Sequence, residues 1–260
     1  MASAGPANLA MRGQVALSIV SHGHGVMVER LVENVLRFHE VGLVLVTVNL
    51  PETLHLPVDG RIRVIANPKP KGFGANHNAA FEHCDRPFFC PLNPDIRLPS
   101  DPFPRLVVAL QRSGSALVAP LVRSPSGSIE DSIRHFPTLL SLSRKAFGRG
   151  DGRYVISDDE RELYPDWVAG MFMLFRSDCF AELKGFDERF FLYYEDVDIC
   201  VRAWQQSMKI LACTDVSVIH EARRASRRDA RHMWWHFNSL SRYFWKHLGR
   251  LPPRPVQRPS

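Results

Sequence analysis

The feature that most constrains this chain is an alternation of short β-branched apolar runs with stretches of helical periodicity. VALSIVS (Val15 to Ser21) leads into a helical pattern from Val26 to Phe38, with Val28, Leu31, Val35 and Leu36 toward one side, and then into LVLVTVN (Leu43 to Asn49). RIRVIAN (Arg61 to Asn67), a glycine-opened helix over Gly72 to Cys84, PFFCPLN (Pro87 to Asn93), a helix over Pro102 to Ser113 and SALVAPLV (Ser115 to Val122) continue it. Apolar runs flanked by helices suit strands buried on both faces, so the pattern predicts an α/β domain with a Rossmann-like, mainly parallel central sheet.

From Arg123 to Pro165 the pattern gives way to Ser, Gly, Asp and Arg, with one helix expected over Thr138 to Phe147, as in a long mobile loop over an opening in the sheet. Order resumes with DWVAGMFMLFR (Asp166 to Arg176), a short helix over Ser177 to Leu183, a GFDERF turn and a helix beginning at Glu195. Two short strands follow, Lys209 to Cys213 and Val216 to His220, then a helix over Asp229 to Leu248 and a proline-rich end expected to be disordered. The expected organisation is a flexible tail (1–13), one α/β domain (14–228), a C-terminal amphipathic helix (229–250) and a disordered end (251–260). Within the domain we expect a first half (14–123), the mobile loop (124–165) and a second half (166–228).

With 45% hydrophobic and 23% charged residues, 260 residues suffice for a sizeable core and exclude a disordered or fibrous chain. The longest apolar stretches, Val41 to Leu50 and Trp167 to Phe175, are too short to span a bilayer, and nothing near the start resembles a signal sequence. Five cysteines without a CxxC pair read as buried free thiols, which suits a reducing cytoplasm. The net charge of +6 is uneven: residues 221–260 carry +8 and the rest −2, so any polyanionic partner is a matter for the C-terminal segment.

Four groups of residues could carry chemistry. In LNPDIRL (Leu92 to Leu98), a strand runs out into Asn93, Pro94 and Asp95; an acid at a strand's carboxyl end can hold a divalent cation against phosphate, and Asn-Pro-Asp is equally ordinary turn chemistry. In FFLYYEDVDIC (Phe190 to Cys200), Glu195, Asp196 and Asp198 crowd a helix start, where one could be a general base or all could serve as caps. His220 closes a short strand as a metal ligand or a polar strand end, and His22, His24, His77 and His83 are no stronger as evidence. NPKPKGFGANHNAAF (Asn67 to Phe81) opens a helix with Gly72 and Gly74, leaving room for a phosphate or sugar ring, but is neither a Walker loop nor GxGxxG.

In this order the pieces resemble the inverting family 2 glycosyltransferases of the GT-A fold, over nearly the whole chain from Val15 to about Leu248. The likeness is closest to the bacterial rhamnosyltransferase-like branch of O-antigen and cell-wall polysaccharide synthesis, through NPKPKGFGANHN, LNPD and WVAGMFMLFRSDCFAELKGFDERFFLYYEDVDIC. The resemblance implies that Asp95 is the metal and diphosphate aspartate, with Asn93 replacing the first acid of the family's motif and His220 assisting. It makes Asp196 the catalytic base, with Glu195 shaping the acceptor site. It places Ser21, His22 and the Gly72, Phe73, Gly74 and Asn78 segment on the nucleotide-sugar, and Trp167 and Gly170 on the floor of the donor and acceptor site. The chain departs from the family where TVNLPE (Thr47 to Glu52) replaces an acidic motif contacting base or ribose, making Asn49 or Glu52 the substitutes, and where His22 replaces an aromatic.

The resemblance further implies a Mg or Mn cofactor, a nucleoside-diphosphate sugar donor with a dTDP-sugar favoured, and a saccharide acceptor carried on a lipid. A metal-dependent nucleotidyltransferase or a non-catalytic sugar-nucleotide binding module are the alternatives. In RHMWWHFNSLSRYFWKHL (Arg231 to Leu248), Met233, Phe237, Leu240, Phe244 and Leu248 recur at helical spacing beside Trp234, Trp235, Tyr243 and Trp245, after the basic stretch Arg223 to Arg231. Such a helix suits an anionic membrane surface, as a peripheral protein on the cytoplasmic face of the inner membrane, or packs on the domain by the same stripe. Nucleic acid is not expected as a partner, because no recognised motif accompanies the arginines.

Overall fold

The structure, a computed structural model, describes residues 12–148, 152–157, 159–221 and 230–253. Most of the expected N-terminal tail, most of the basic stretch Arg223 to Arg231 and most of the C-terminal end therefore lie outside the described residues. The first half runs β1 (Val15–Ser21), α1 (Val26–Val35), β2 (Val41–Val48), β3 (Ile62–Ala66), α2 (Phe73–Phe81), β4 (Phe88–Leu92), β5 (Ile96–Arg97), α3 (Phe103–Ser113) and β6 (Leu117–Arg123). The second half runs β7 (Ile133–Arg134), α4 (Leu139–Ala146), β8 (Glu162–Leu163), β9 (Trp167–Val168), β10 (Leu174–Arg176), α5 (Ser177–Glu182), α6 (Glu195–Gln205), β11 (Ile210–His220) and α7 (Ala230–His247).

The main sheet has the order β3-β2-β1-β4-β10-β6-β11-β5, with β8 on β11. The pairs of β1, β2, β3 and β4 are parallel, as is β6 with β11, and the short β10 enters antiparallel between β4 and β6. Helices cover both faces: α1 and α3 pack Val28, Leu31, Val35, Leu106 and Leu110 into one core, while α2, α5 and α6 pack Ala80, Phe180, Val197 and Val201 into the other. The second core is rich in rings, with Phe81, Phe89 and Phe175 each about Phe180 at centroid distances of 4.7 to 5.0 Å. This is the mainly parallel, two-sided α/β architecture that the alternating pattern predicts.

Element ends follow local chemistry. Helix α1 stops at Val35, short of Phe38, because Arg37 and Phe38 donate to the carbonyls of Asn34 and Val35 in tight turns. Helix α3 ends on Gly114 at φ 63°, the left-handed position that glycine takes without strain. The two strands expected after Lys209 are one strand, β11, whose pairing with β6 shifts register between Cys213 and Ser217, leaving Thr214 to Val216 outside that ladder. Within 124–165, β7 pairs with β9 and β8 with β11, so parts of this excursion are strands of the fold. All five cysteines are free, and burial pushes the Cys200 and Cys213 thiols above the usual range. Among the described residues no helix is long and apolar enough to cross a membrane.

Candidate active site

At the carboxyl ends of β1 and β2, amide side chains form a closed lattice. Asn49 Oδ1 accepts from the Lys71 N–H and from Asn67 Nδ2, both at 2.8 Å, while its Nδ2 reaches the Lys71 carbonyl at 3.0 Å and His22 Nδ1 at 2.9 Å. An Asn amide has two donors and two acceptor sites, so Asn49 is fully used within the protein. The expected substitute for the family's acidic contact thus holds the 67–72 loop and aims His22, whose other ring nitrogen is the group left facing outward. Glu52, the other substitute, accepts from the N–H groups of Gly23 at 3.0 Å and Gly25 at 2.9 Å, closing the loop before α1. Burial acts against the charged Glu52, but Ser21 and these two amides hold its carboxyl below the usual range. Asn67 and Asn76, linked at 2.6 Å, complete the lattice; the sequence offered no sign of them beyond being asparagines beside a loop.

The glycines opening α2 leave room for protein. A Cβ on Gly72 would meet the Phe191 carbonyl oxygen at 2.5 Å, and one on Gly74 would meet Phe186 Cβ at 2.6 Å. The first amide of α2, on Phe73, is donated to the Phe191 carbonyl at 2.9 Å. Asn78 is also committed: it exchanges bonds with the N–H and C=O of Phe186, both at 2.9 Å, and donates to Glu188. The room expected for a sugar or phosphate at Gly72, Gly74 and Asn78 is therefore filled by the 186–191 segment, which these residues lock in front of α6. Phe73 alone of this group reaches a cavity wall, its ring edge-on to His77 at 4.5 Å. His77 itself is a core histidine bonded to Ser18 at 2.8 Å, and burial lowers it to about 3.

Asn93 and Asp95 leave β4 in a turn closed by the Ile96 N–H on the Asn93 carbonyl, so turn and functional acid coexist. Strand β5 then pairs antiparallel with the end of β11, setting His220 opposite Ile96. That pairing brings His220 Nε2 to 3.2 Å from Asp95 Oδ2, while His220 Nδ1 donates to Glu130 Oε2 at 2.6 Å. Burial disfavours the charged imidazole, yet the Asp95 and Glu130 carboxylates outweigh it and raise His220 to about 9. Asp95 Oδ1 is buried with no partner, and once the His220 Nε2 proton shared with Asp95 is displaced, the carboxylate–imidazole pair with a second carboxylate behind the ring would suit a divalent cation completed by phosphate oxygens and water. Among the described residues no three His, Cys, Asp or Glu side chains converge as a protein-only cage. Glu130 went unrecognised in the sequence because it sits in the polar stretch after β6, where the 124–128 turn returns the chain to bond the Val122 carbonyl.

The other carboxylates meet at a cavity of about 430 Å³ walled by Phe73, Trp167, Tyr193, Tyr194, Arg134 and Leu240. Asp196 lies on its floor: Oδ2 accepts from the Gly170 N–H and Oδ1 from the Val197 N–H, both at 2.9 Å. A Cβ on Gly170 would press on the Phe73 ring at 3.3 Å and stand in ordinary contact with Asp196 Cβ at 3.5 Å. Burial raises Asp196 against the pull of these amides, and burial together with the Asp196 charge raises Glu195 well above the carboxylate range. Glu195 Oε2 is buried and unpartnered, as suits a neutral carboxyl.

Asp198 goes elsewhere. It is fully buried and bound by Arg202 at 2.8 Å, Lys246 at 2.6 Å and His247 at 2.7 Å, which hold it ionised and tie α6 to α7. Tyr193 and Tyr194, just before α6, sit at φ 70° and 67°, a left-handed pair that side chains rarely adopt and that turns the chain sharply into Glu195. Trp167 is fixed by its indole N–H on the His135 carbonyl at 3.0 Å, with the Arg134 guanidinium 6.0 Å from the ring centre.

The fold is of the GT-A kind, with an acid-bearing turn at a strand end and a carboxylate floor across the sheet. The chain carries a glycosyl transferase family 2 domain, matched over residues 52–179, and is a glycosyltransferase. It is 29% identical to rhamnosyltransferase WbbL of Escherichia coli K12 over 88% of this chain and 92% of that protein. It is 28% identical to an N-acetylglucosaminyl-diphospho-decaprenol L-rhamnosyltransferase of Mycobacterium tuberculosis, over 56% of this chain and 51% of that one. Among solved structures, the mannosyltransferase PcManGT of Pyrobaculum calidifontis, in complex with GDP-Man and Mn²⁺, is similar at TM-score 0.60 and 14% identity over 94% of this chain and 66% of that one. GalNAc-T7 with UDP, GalNAc and Mn²⁺ is similar at TM-score 0.63 and 15% identity, over 80% of this chain and 44% of that one.

Proposed function

We propose that this glycosyltransferase moves a rhamnosyl or related deoxyhexosyl group from a dTDP-sugar to a lipid-linked saccharide, with inversion, in cell-surface polysaccharide synthesis. The observation that carries the reading is Asp196, a carboxylate raised by burial and fixed by two backbone amides on the floor of a cavity wide enough for a sugar ring. The rhamnosyltransferase names of the relatives, one of them acting on a decaprenol-linked saccharide, support donor and acceptor class.

The acceptor sugar lies over Trp167, an aromatic face of the kind that takes the apolar side of a sugar. Asp196 accepts the proton of the attacking hydroxyl as that oxygen bonds to the anomeric carbon and the nucleoside diphosphate leaves from the opposite face. Neutral Glu195 keeps a second negative charge away from the attacking oxygen. Arg134, at the cavity wall, is placed for the phosphate of a lipid-diphosphate acceptor. Asp95 and His220 would hold a Mg or Mn ion, which would supply positive charge against the departing diphosphate. His22, aimed by Asn49, meets the nucleotide at the end of β1. The protein works on the cytoplasmic face of the inner membrane.

The test supplies dTDP-rhamnose, UDP- and GDP-sugars in turn with an N-acetylglucosaminyl-diphospho-prenol acceptor and reads the product's anomeric configuration by NMR. An inverted rhamnosyl product from the dTDP series supports the proposal. Retention, or transfer only from another nucleotide series, overturns it. Release of diphosphate from a nucleoside triphosphate would restore the nucleotidyltransferase alternative.

A further inference from the structure

The apolar stripe of α7 is split: Leu240 and Phe244 face the domain, while Met233, Phe237 and Leu248 point away from it. Ser239, Tyr243 and His247 form its buried face, the hydroxyl of Ser239 bonding the Leu192 carbonyl and that of Tyr243 the Pro137 carbonyl. Met233, Trp234, Phe237, Trp245 and Leu248 stand exposed, Phe237 at 69% and Trp245 at 92%. A helix that is already docked through Tyr243 and Phe244 and still presents tryptophan, phenylalanine and methionine outward has a second apolar surface made to be covered. Helix α4 does likewise: Leu139 and Leu140, with Phe147 just past its end, are exposed.

The two helices flank one opening. Ser141 and Leu142 of α4 and His236 and Leu240 of α7 all line the cavity whose floor is Asp196, and Tyr243 bonds the chain just ahead of α4. Both segments are basic: residues 139–149 hold Arg144, Lys145 and Arg149, residues 230–250 hold Arg231, Arg242, Lys246 and Arg250, and neither contains an acid. Lys246 is turned inward onto Asp187 and Asp198, whereas Arg144, Arg231 and Arg250 are exposed.

The geometry points to a two-helix collar, α4 and α7 together, that seats the mouth of the acceptor cavity on an anionic lipid leaflet. Charge complementarity and the continuity of the apolar rim with the cavity argue for a bilayer as occupant, since tryptophan-rich basic helices settle at the headgroup level of anionic membranes. The inference rests on the lipid-linked acceptor of the preceding reading and adds what that reading lacks: an entry path along which the prenyl chain stays in the leaflet while its saccharide reaches Asp196.

The experiment is flotation of the full chain with vesicles of phosphatidylethanolamine and phosphatidylglycerol, against vesicles of phosphatidylcholine alone. Two variants, Trp234→Ser/Phe237→Ser on α7 and Leu140→Ser/Phe147→Ser on α4, change only exposed side chains. We expect the unaltered chain to float with the anionic vesicles and each variant to bind them about tenfold or more weakly. Turnover of a water-soluble short-chain acceptor should stay within about twofold, because these side chains do not line the cavity. No flotation by the unaltered chain overturns the inference, and flotation unaffected by the α4 variant overturns the collar. A dimer in solution that the α7 variant converts to monomer, without flotation, assigns the face to a second copy instead. Flotation as expected with no transfer to any acceptor would leave the surface standing and defeat the proposed reaction.

Discussion

Asp95 and Asp196 are both aspartates at the working edge of one sheet, yet their surroundings are opposite. Asp95 faces an imidazole backed by a second carboxylate and keeps one oxygen unpartnered, an arrangement that holds negative charge ready for a cation. Asp196 meets only backbone amides and a neutral-leaning neighbour, and burial raises it toward accepting a proton. The same side chain thus keeps a buried, unpartnered oxygen beside an imidazole in one place and is desolvated among backbone amides in the other, the contrast on which the proposed metal-ligand and base roles rest.

The sharpest way to break this contrast is Asp196→Asn. Turnover should fall about 10²- to 10⁴-fold while donor affinity, read by calorimetry, stays close to that of the unaltered chain. Asp95→Ala should weaken metal-dependent donor binding as well as turnover; identical signatures from both variants would erase the distinction. Next in size is Asp198→Ala, which leaves Arg202, Lys246 and His247 facing a gap and should cost about 3–5 kcal/mol in urea unfolding. A neutral result would mean that α7 docks without this anchor.

Glu130→Gln tests the support behind His220. Mn²⁺ affinity, measured by electron paramagnetic resonance without substrate turnover, should fall about tenfold or more. An unchanged affinity would reduce Glu130 to a loop contact. The smallest effect concerns Glu195. Its raised folded value means that the folded state holds the proton longer than the unfolded one, so stability declines as pH rises above the unfolded carboxyl range and levels off above the folded value. Glu195→Gln should remove that decline in a pH series of thermal unfolding, and parallel curves for the two proteins would refute the raised value.

Much of this was legible in advance. Strands β1, β2, β4 and β6 and helices α1, α3 and α6 announce themselves because local periodicity and burial agree there. Strand β11 was read as two because Thr214 and Asp215 are polar; Asp215 pairs with Arg105 of α3, a contact 110 residues away that no local window contains. The resemblance implies ligand contacts for Asn78 and, as a substitute for an acid, for Asn49, but a side-chain amide is equally suited to ligand or backbone, and only the finished loops reveal which bonds it makes.

The sequence by itself determined the layer architecture, the acid at the end of β4 and the acidic start of α6, because each is written in neighbouring residues. Tertiary structure decided which acid does what. His220 comes to Asp95 from 125 positions away, His247 and Lys246 claim Asp198 from across a helix pair, and Gly170 offers Asp196 its amide. It also decided which face of α7 turns inward, the one that brings Lys246 and His247 to the buried Asp198 and Tyr243 to the core. Charge and burial are properties of a surrounding, and a surrounding exists only once the chain has folded.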